Sequence, residues 1–173
     1  MTRDVHIKRY RSTDIEVLHS AVVESHAELS EFMAWCTPNY SIDDTATWVN
    51  GRAAAWDDNR EWSFLIVDLA DRILGTCGLH RLDLLNGVGE AGYWVRTSAT
   101  RQGIATVALQ QICRFAFHER GFHRVEILAA VTNLASQRVA EKTGAIREGI
   151  LRERLSLHGR HVDTVLFSII NRD

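Results

Sequence analysis

The sequence predicts one α/β domain, residues 1–173, with a mixed but mostly antiparallel central sheet, flanking helices and a single β-α-β crossover. Three observations carry this prediction. Strand-like segments rich in β-branched and aromatic residues crowd together between Trp62 and Val95 with only short polar breaks, the pattern of antiparallel neighbours. Between the strand-like stretches Tyr93–Val95 and Val125–Val131, apolar residues Ile104, Ala108, Ile112 and Phe115 recur at helical spacing, the pattern of a crossover. The chain is 46% hydrophobic over 173 residues, enough for one sizeable core.

Taken in order, Val5 to Arg9 alternates as a strand, and Ser12-Thr-Asp14 introduces a helix carrying Ile15, Val17, Leu18, Ala21 and Val22. A second helix, Leu29 to Trp35, must stop before Pro38, because proline disfavours helical geometry in the residue ahead of it. Ser41-Ile-Asp-Asp44 has the spacing of a capping box for a helix toward Trp56. Trp62–Asp68 and Ile73–Leu82 form a hairpin around Ala70-Asp71-Arg72, followed by the Tyr93–Val95 strand. The helix after Gly103 runs toward Gly121, and another spans Ala135 to Lys142 with Gly144 as its stop. Strands at Leu151–Leu157 and Val162–Ile170 close the chain around His158-Gly159.

Composition excludes several classes. A net charge of -2 with no basic stretch leaves nucleic acid without an electrostatic footprint. Cys36, Cys77 and Cys113 form no C-x-x-C pair and sit among apolar neighbours, the usage of buried thiols in a reducing cytoplasm. The amino terminus lacks a secretory apolar core and no run is long enough to cross a bilayer, so a soluble, cytoplasmic protein without a membrane partner is expected. His158 and His161 have chelating spacing but no carboxylate or cysteine set to complete four ligands, so no metal is expected. Trp35, Trp48, Trp56 and Trp62 read as core or pocket wall.

Two glycine signatures compete for a phosphate. Gly87-Val-Gly89-Glu-Ala-Gly92 satisfies G-x-G-x-x-G, but that fingerprint needs a strand before the glycines and a helix after them. Here a strand follows, Gly87 and Gly89 read as a turn, and a Rossmann-type redox protein is disfavoured. Arg101-Gln-Gly103-Ile-Ala105-Thr106 has the required order, and the first-turn N–H groups of Ile104, Ala105 and Thr106 can receive a pyrophosphate. From spacing alone, Gly103 starts a helix equally well without binding anything. No P-loop lysine accompanies the signature, so a phosphate there would be held and not cleaved.

Three ordered motifs, Tyr93-Trp-Val95, Arg101-Gln-Gly103-Ile-Ala105-Thr106 and Asn133-Leu-Ala-Ser136-Gln-Arg-Val-Ala-Glu141-Lys-Thr-Gly144, together resemble the GNAT N-acetyltransferase superfamily, and within it the RimJ/RimL-like group. The likeness extends from Ile7 to Phe167 and includes Gly75-Thr-Cys-Gly78 and Gly159-Arg-His-Val-Asp163. The first position of the family's Q/R-x-x-G-x-G/A pattern falls on Thr100 here, so the backbone contacts of that pattern carry over better than its first side chain.

The resemblance implies a GNAT-like fold and acetyl-CoA as cosubstrate. Its pyrophosphate would lie on the amides of Arg101, Gln102, Gly103, Ile104, Ala105 and Thr106, and its pantetheine arm beside Trp94 and Val95, with Asn133 and Ser136 at the following helix. It further implies direct transfer to a primary amine, most naturally a protein N-terminus as in ribosomal proteins. Polyamine, amino acid or antibiotic acceptors, a non-catalytic acyl-CoA-binding module and a homodimer stay open.

Amine acetylation requires a neutral amine, a stabilised oxyanion and a stabilised leaving thiolate. Glu90, in phase with Gly92 and Trp94 on its strand, is a candidate base, with a solvated strand-end glutamate as the bland alternative, and His80 is a second candidate. The tyrosine that serves as acid in many superfamily members falls on Ala140, and the RimL-like resemblance places that role on Ser136, whose alternative is a helix N-cap. An α-amine of pKa ~8 is about one-tenth neutral at pH 7, whereas a lysine amine of pKa ~10.4 is under roughly a thousandth neutral, which favours an α-amine acceptor.

Overall fold

A computed structural model describes residues 4–172. The chain runs β1 (Val5–Lys8), α1 (Ile15–Glu24), α2 (His26–Phe32), α3 (Ile42–Asp57), β2 (Trp62–Asp68), β3 (Ile73–Asp83), β4 (Val88–Val95), α4 (Ile104–Arg114), β5 (Arg124–Ala130), α5 (Leu134–Lys142), β6 (Ile146–Leu157) and β7 (Arg160–Ile170). A π-helical turn, Phe115–Glu119, extends α4. Seven strands form one sheet in the order β1-β2-β3-β4-β5-β7-β6, antiparallel except for β4 and β5.

Local chemistry sets most boundaries as the sequence indicates. Ser41 and Asp44 make a reciprocal capping box, with Asp44 Oδ2 accepting the Ser41 N–H at 2.8 Å. His158 and Gly159 both take positive φ, 49° and 78°, the geometry a two-residue hairpin turn demands. Three expectations need correction. Helix α2 ends at Phe32, short of Trp35. Strand β6 begins at Ile146, earlier than Leu151, because pairing with β7 recruits a mostly exposed edge that shows no clean alternation. Gly89 lies inside β4 and not in a turn, where Phe122 and Leu79 side chains pack against its backbone.

Helices cover both faces of the sheet. Trp62, Phe64 and Ile66 of β2, Cys77 and Leu79 of β3, and Ala91 of β4 pack with Ile104, Ala108 and Ile112 of α4. On the opposite face Leu65, Val67, Ile73 and Trp94 pack with Leu18, Ala21 and Val22 of α1 and Val49 of α3. Strand β4 therefore presents Ala91, Tyr93 and Val95 to α4 and Glu90, Gly92 and Trp94 to the α1 side, as a period of two requires.

Candidate active site

Strands β4 and β5 pair only from Val88↔Arg124 to Glu90↔Glu126, although β4 continues to Val95 and β5 to Ala130. Beyond that point β5 is paired with β7 through Ala130↔Thr164, and β4 with β3 through Val95↔Gly75. The two strands thus diverge and open a cleft at the centre of the sheet. Parallel strands in mid-sheet normally remain zipped, so this divergence is the main departure from regular sheet geometry here.

The loop after β4 closes one end of the cleft and is firmly held. The Arg96 N–H donates to the Leu74 carbonyl at 2.8 Å, and the Arg96 guanidinium pairs with Glu24 of α1. Glu24 also accepts the Ser98 N–H at 2.9 Å, and Ser25 accepts that of Thr97 at 3.0 Å. The Arg96 and Ser98 hydrogen bonds hold the Glu24 carboxyl at about 2, well below its ordinary range. Past this anchor Arg101 and Gly103 take positive φ, 61° and 76°, which turns the chain sharply into α4. The N–H groups of Ile104, Ala105 and Thr106 have no i−4 partner within the helix and no other partner among the described residues. Unpaired amides at the first turn of a helix are of the kind that can accept an anion.

Trp94 belongs to the apolar layer on the α1 side of the sheet. The residue is 9% exposed, and its ring lies in the α1-side core, 6.4 Å from that of Trp35 between centroids.

Across the cleft, Asn133 caps α5: its Oδ1 accepts the Ser136 N–H at 3.0 Å. Ser136 is therefore not the N-cap, which corrects the alternative reading of that residue. Its hydroxyl lies 3.0 Å from the Tyr93 hydroxyl, which in turn donates to the Ser136 carbonyl at 3.1 Å. Burial pushes the Tyr93 phenol up to about 12, so it remains a protonated donor at neutral pH. The Tyr93 side chain, in contact with Ser136, is a group the sequence motifs did not single out. Its phase opposite to Glu90 along β4 was the available signal, because it puts the phenol on the helix-α5 side.

On the other face of β4, Glu90 is neither solvated nor free. His80 Nε2 lies 3.0 Å from Glu90 Oε1, and Arg81 donates to Oε2 at 2.9 Å. Adjacent residues of a regular strand point to opposite faces, but a register shift between His80 and Asp83 and a φ of 48° at Arg81 let both reach one carboxylate. Burial would raise the Glu90 carboxyl, yet the His80 hydrogen bond and charge and the Arg81 charge outweigh it and leave it below the ordinary range. The His80 ring lies over Gly92, where a Cβ would stand 2.8 Å from its Cε1.

A cleft of about 460 Å³ lies between α2 and the β6–β7 hairpin, lined by Glu31, Phe32, Thr132, Leu157, Arg160 and Val162. His158 Nε2 lies 2.6 Å from the Ser30 carbonyl, joining that hairpin to α2. Among the described residues no group of three or more His, Cys, Asp or Glu is arranged to hold a metal, and Cys36, Cys77 and Cys113 are all buried. No helix among them is long and apolar enough to cross a membrane.

The sheet is thus open at the one parallel step among the described residues, with a helix terminus at one end and polar groups on both faces of one strand. The chain belongs to the acetyltransferase (GNAT) domain family, whose pattern matches residues 4–146. It is 38% identical over 101 residues to the Bacillus subtilis (strain 168) protein named ribosomal N-acetyltransferase YdaF, a match covering 58% of this chain and 55% of that one. It is 27% identical over 156 residues to the ribosomal-protein-serine acetyltransferase of Escherichia coli (strain K12), covering 90% and 87%. Among solved structures, RimL, a ribosomal L7/L12 α-N-protein acetyltransferase in complex with coenzyme A, superposes with a TM-score of 0.88 at 22% identity, covering 96% of this chain and 93% of that one. At that identity the likeness is one of fold. The chain spans just over half the length of YdaF in their match.

Proposed function

We propose that this protein transfers the acetyl group of acetyl-CoA directly to the α-amine of a peptide or protein N-terminus. The observation that carries the reading is the divergence of β4 from β5 after Glu90, together with the unpaired first-turn amides Ile104–Thr106 of the helix that follows β4. The residues fit the cosubstrate. Gly103, at φ 76°, aims those amides at a pyrophosphate, and the main chain of Gly92 to Val95 can pair with the amides of a pantetheine arm as an added strand would. When bound, acetyl-CoA supplies an acyl carbon activated by a thiol leaving group.

This chain's residues then perform two proton tasks on opposite faces of β4. The His80–Glu90 pair on one face receives a proton from the incoming ammonium. On the other, the Ser136 hydroxyl, supported by Tyr93, donates to the departing sulfur. A main-chain N–H of β4 can stabilise the oxyanion. Separation across one strand suits the chemistry, because the amine enters and the thiolate leaves on different sides of the same carbonyl carbon.

An α-amine acceptor is favoured because a single modest base suffices to neutralise a group of pKa ~8, but not one of pKa ~10.4. The names of two relatives, a ribosomal N-acetyltransferase and a ribosomal-protein-serine acetyltransferase, support the same acceptor class. The cleft bounded by Phe32, Leu157 and Val162 offers room for the residues after the amine. The test is an acceptor panel followed by thiol release from acetyl-CoA: short peptides with free or blocked N-termini, free amino acids, spermidine and an aminoglycoside. Preference for a free peptide N-terminus is expected. Faster turnover of spermidine or the aminoglycoside would reassign the acceptor.

A further inference from the structure

We propose that the proton acceptor is His80, through its Nδ1 atom, and that Glu90 is a positioning residue that fixes the ring and its tautomer. The inference rests on the acyl-transfer reading above and concerns which atom of the pair takes the proton.

Hydrogen-bond bookkeeping carries the argument. An ionised carboxylate only accepts, so the 3.0 Å contact between His80 Nε2 and Glu90 Oε1 places the ring proton on Nε2. Nδ1 of the neutral ring is then a lone pair, and it has no hydrogen-bond partner among the described residues. Glu90 itself is poorly suited to accept a proton, since Arg81 holds its second oxygen at 2.9 Å. The accessibilities agree: the His80 side chain is 37% exposed, while that of Glu90 is 12% exposed and lies behind it.

Placement supports the same division of labour. The ring rests on Gly92, two residues beyond the last β4–β5 pair, and therefore lies beside the opened stretch of β4, whereas Glu90 is still inside the zipped part. Glycine at that position leaves the space the ring occupies. The ring meets the Glu90 carboxylate, which Arg81 also holds, and Glu126, beside Glu90 across the ladder, is engaged by Arg124 at 2.8 Å. A carboxylate behind an imidazole stabilises the imidazolium formed when the base accepts its proton.

The step balances simply. The ammonium gives one proton to His80 Nδ1, which becomes imidazolium, and the freed nitrogen lone pair forms the C–N bond. As the C–S bond breaks, the sulfur keeps the bonding pair and gains a proton from Ser136, whose hydroxyl is restored by the second proton lost from nitrogen. His80 returns its proton to solvent.

The experiment compares His80→Ala, His80→Gln, Glu90→Gln and Gly92→Ala with the parent, using acetyl-CoA and a peptide acceptor, together with ring ¹⁵N shifts of His80 in the parent. His80→Ala is expected to lower kcat at least 100-fold with acetyl-CoA affinity changed less than twofold, and added imidazole is expected to restore part of the rate. Glu90→Gln keeps an acceptor for Nε2, so a rising pH limb persists. Gly92→Ala, which displaces the ring while keeping both groups, follows His80→Gln. The neutral ring is expected as the Nε2–H tautomer.

A rising limb abolished by Glu90→Gln and retained in His80→Gln overturns the proposal, as does an Nδ1–H tautomer. If both variants lose rate equally, imidazole rescue of His80→Ala supports it and no rescue refutes it. A parent that releases no thiol with any amine refutes the acyl-transfer reading instead, and the tautomer measurement still tests the geometry.

Discussion

Tyr93 and Ser136, forty-three residues apart, are joined twice, by a 3.0 Å contact between their hydroxyls and a 3.1 Å hydrogen bond from the phenol to the Ser136 carbonyl. The phenol has one proton and two acceptors for it. Given to the carbonyl, it leaves the serine proton directed at the phenol oxygen; given to Oγ, it frees the serine proton for a neighbouring sulfur. The pair can thus hand over a proton without moving a heavy atom.

Ser136→Ala should therefore lower turnover by roughly 10- to 10⁴-fold, the range of one well-placed donor, with little loss of stability. Asn133 already caps α5, so no cap is lost. Tyr93→Phe should retain more activity, falling about 3- to 10-fold, and cost about 1 kcal/mol because the partly buried Ser136 groups lose a donor. Thiol-release kinetics paired with thermal melts of the same samples separate the two effects. A Ser136→Ala enzyme at the parental rate would remove the acid from the mechanism.

The cap itself gives a contrasting result. Asn133→Ala should reduce stability by about 0.5–2 kcal/mol, and Asn133→Asp should recover most of it, since an aspartate also accepts from the Ser136 N–H and favours the helix dipole. Denaturant midpoints of the three proteins decide this, and equal midpoints would show that the cap contributes nothing.

Gly103→Pro should weaken acetyl-CoA binding at least tenfold, about 1.4 kcal/mol. The φ of 76° there is closed to proline, whose ring fixes φ near −65°, so the Ile104–Thr106 amides must re-aim. Gly103→Ala, which strains the same angle by only about 1–2 kcal/mol, should give a smaller change. Titration calorimetry reads both, and an unchanged affinity in a folded Gly103→Pro protein would place the phosphate elsewhere.

Acid should loosen the loop that precedes this site. Arg96 and the Ser98 N–H hold the Glu24 carboxyl at about 2, below the reference value of 4.5. A depressed carboxyl contributes stability that is present above the unfolded value and lost as pH falls through the folded one, here between about 4.5 and 2. Glu24→Gln should be less stable than the parent by on the order of 1 kcal/mol at pH 7, allowing for solvent screening, and the difference should close over that window. Stability curves at several pH values would show a constant gap if Glu24 were unpaired.

The sequence by itself determined the order of elements, the antiparallel hairpins, the crossover and the glycine at the entry to α4, because helical period, strand alternation and turn chemistry are short-range properties written in neighbouring residues. Strict phase along β4 likewise placed Glu90 with Gly92 and Trp94. What Glu90 does was decided elsewhere. A bulge at Arg81, invisible in any local pattern, turns two consecutive side chains onto one carboxylate, and pairing between β3 and β4 brings His80 over Gly92. Tyr93 meets Ser136 only because β4 and the start of α5 converge across the opened cleft. The divergence of β4 from β5 has no sequence signature either: it arises when β4 stays zipped to β3 while β5 stays zipped to β7, a competition among strands that only the assembled sheet resolves.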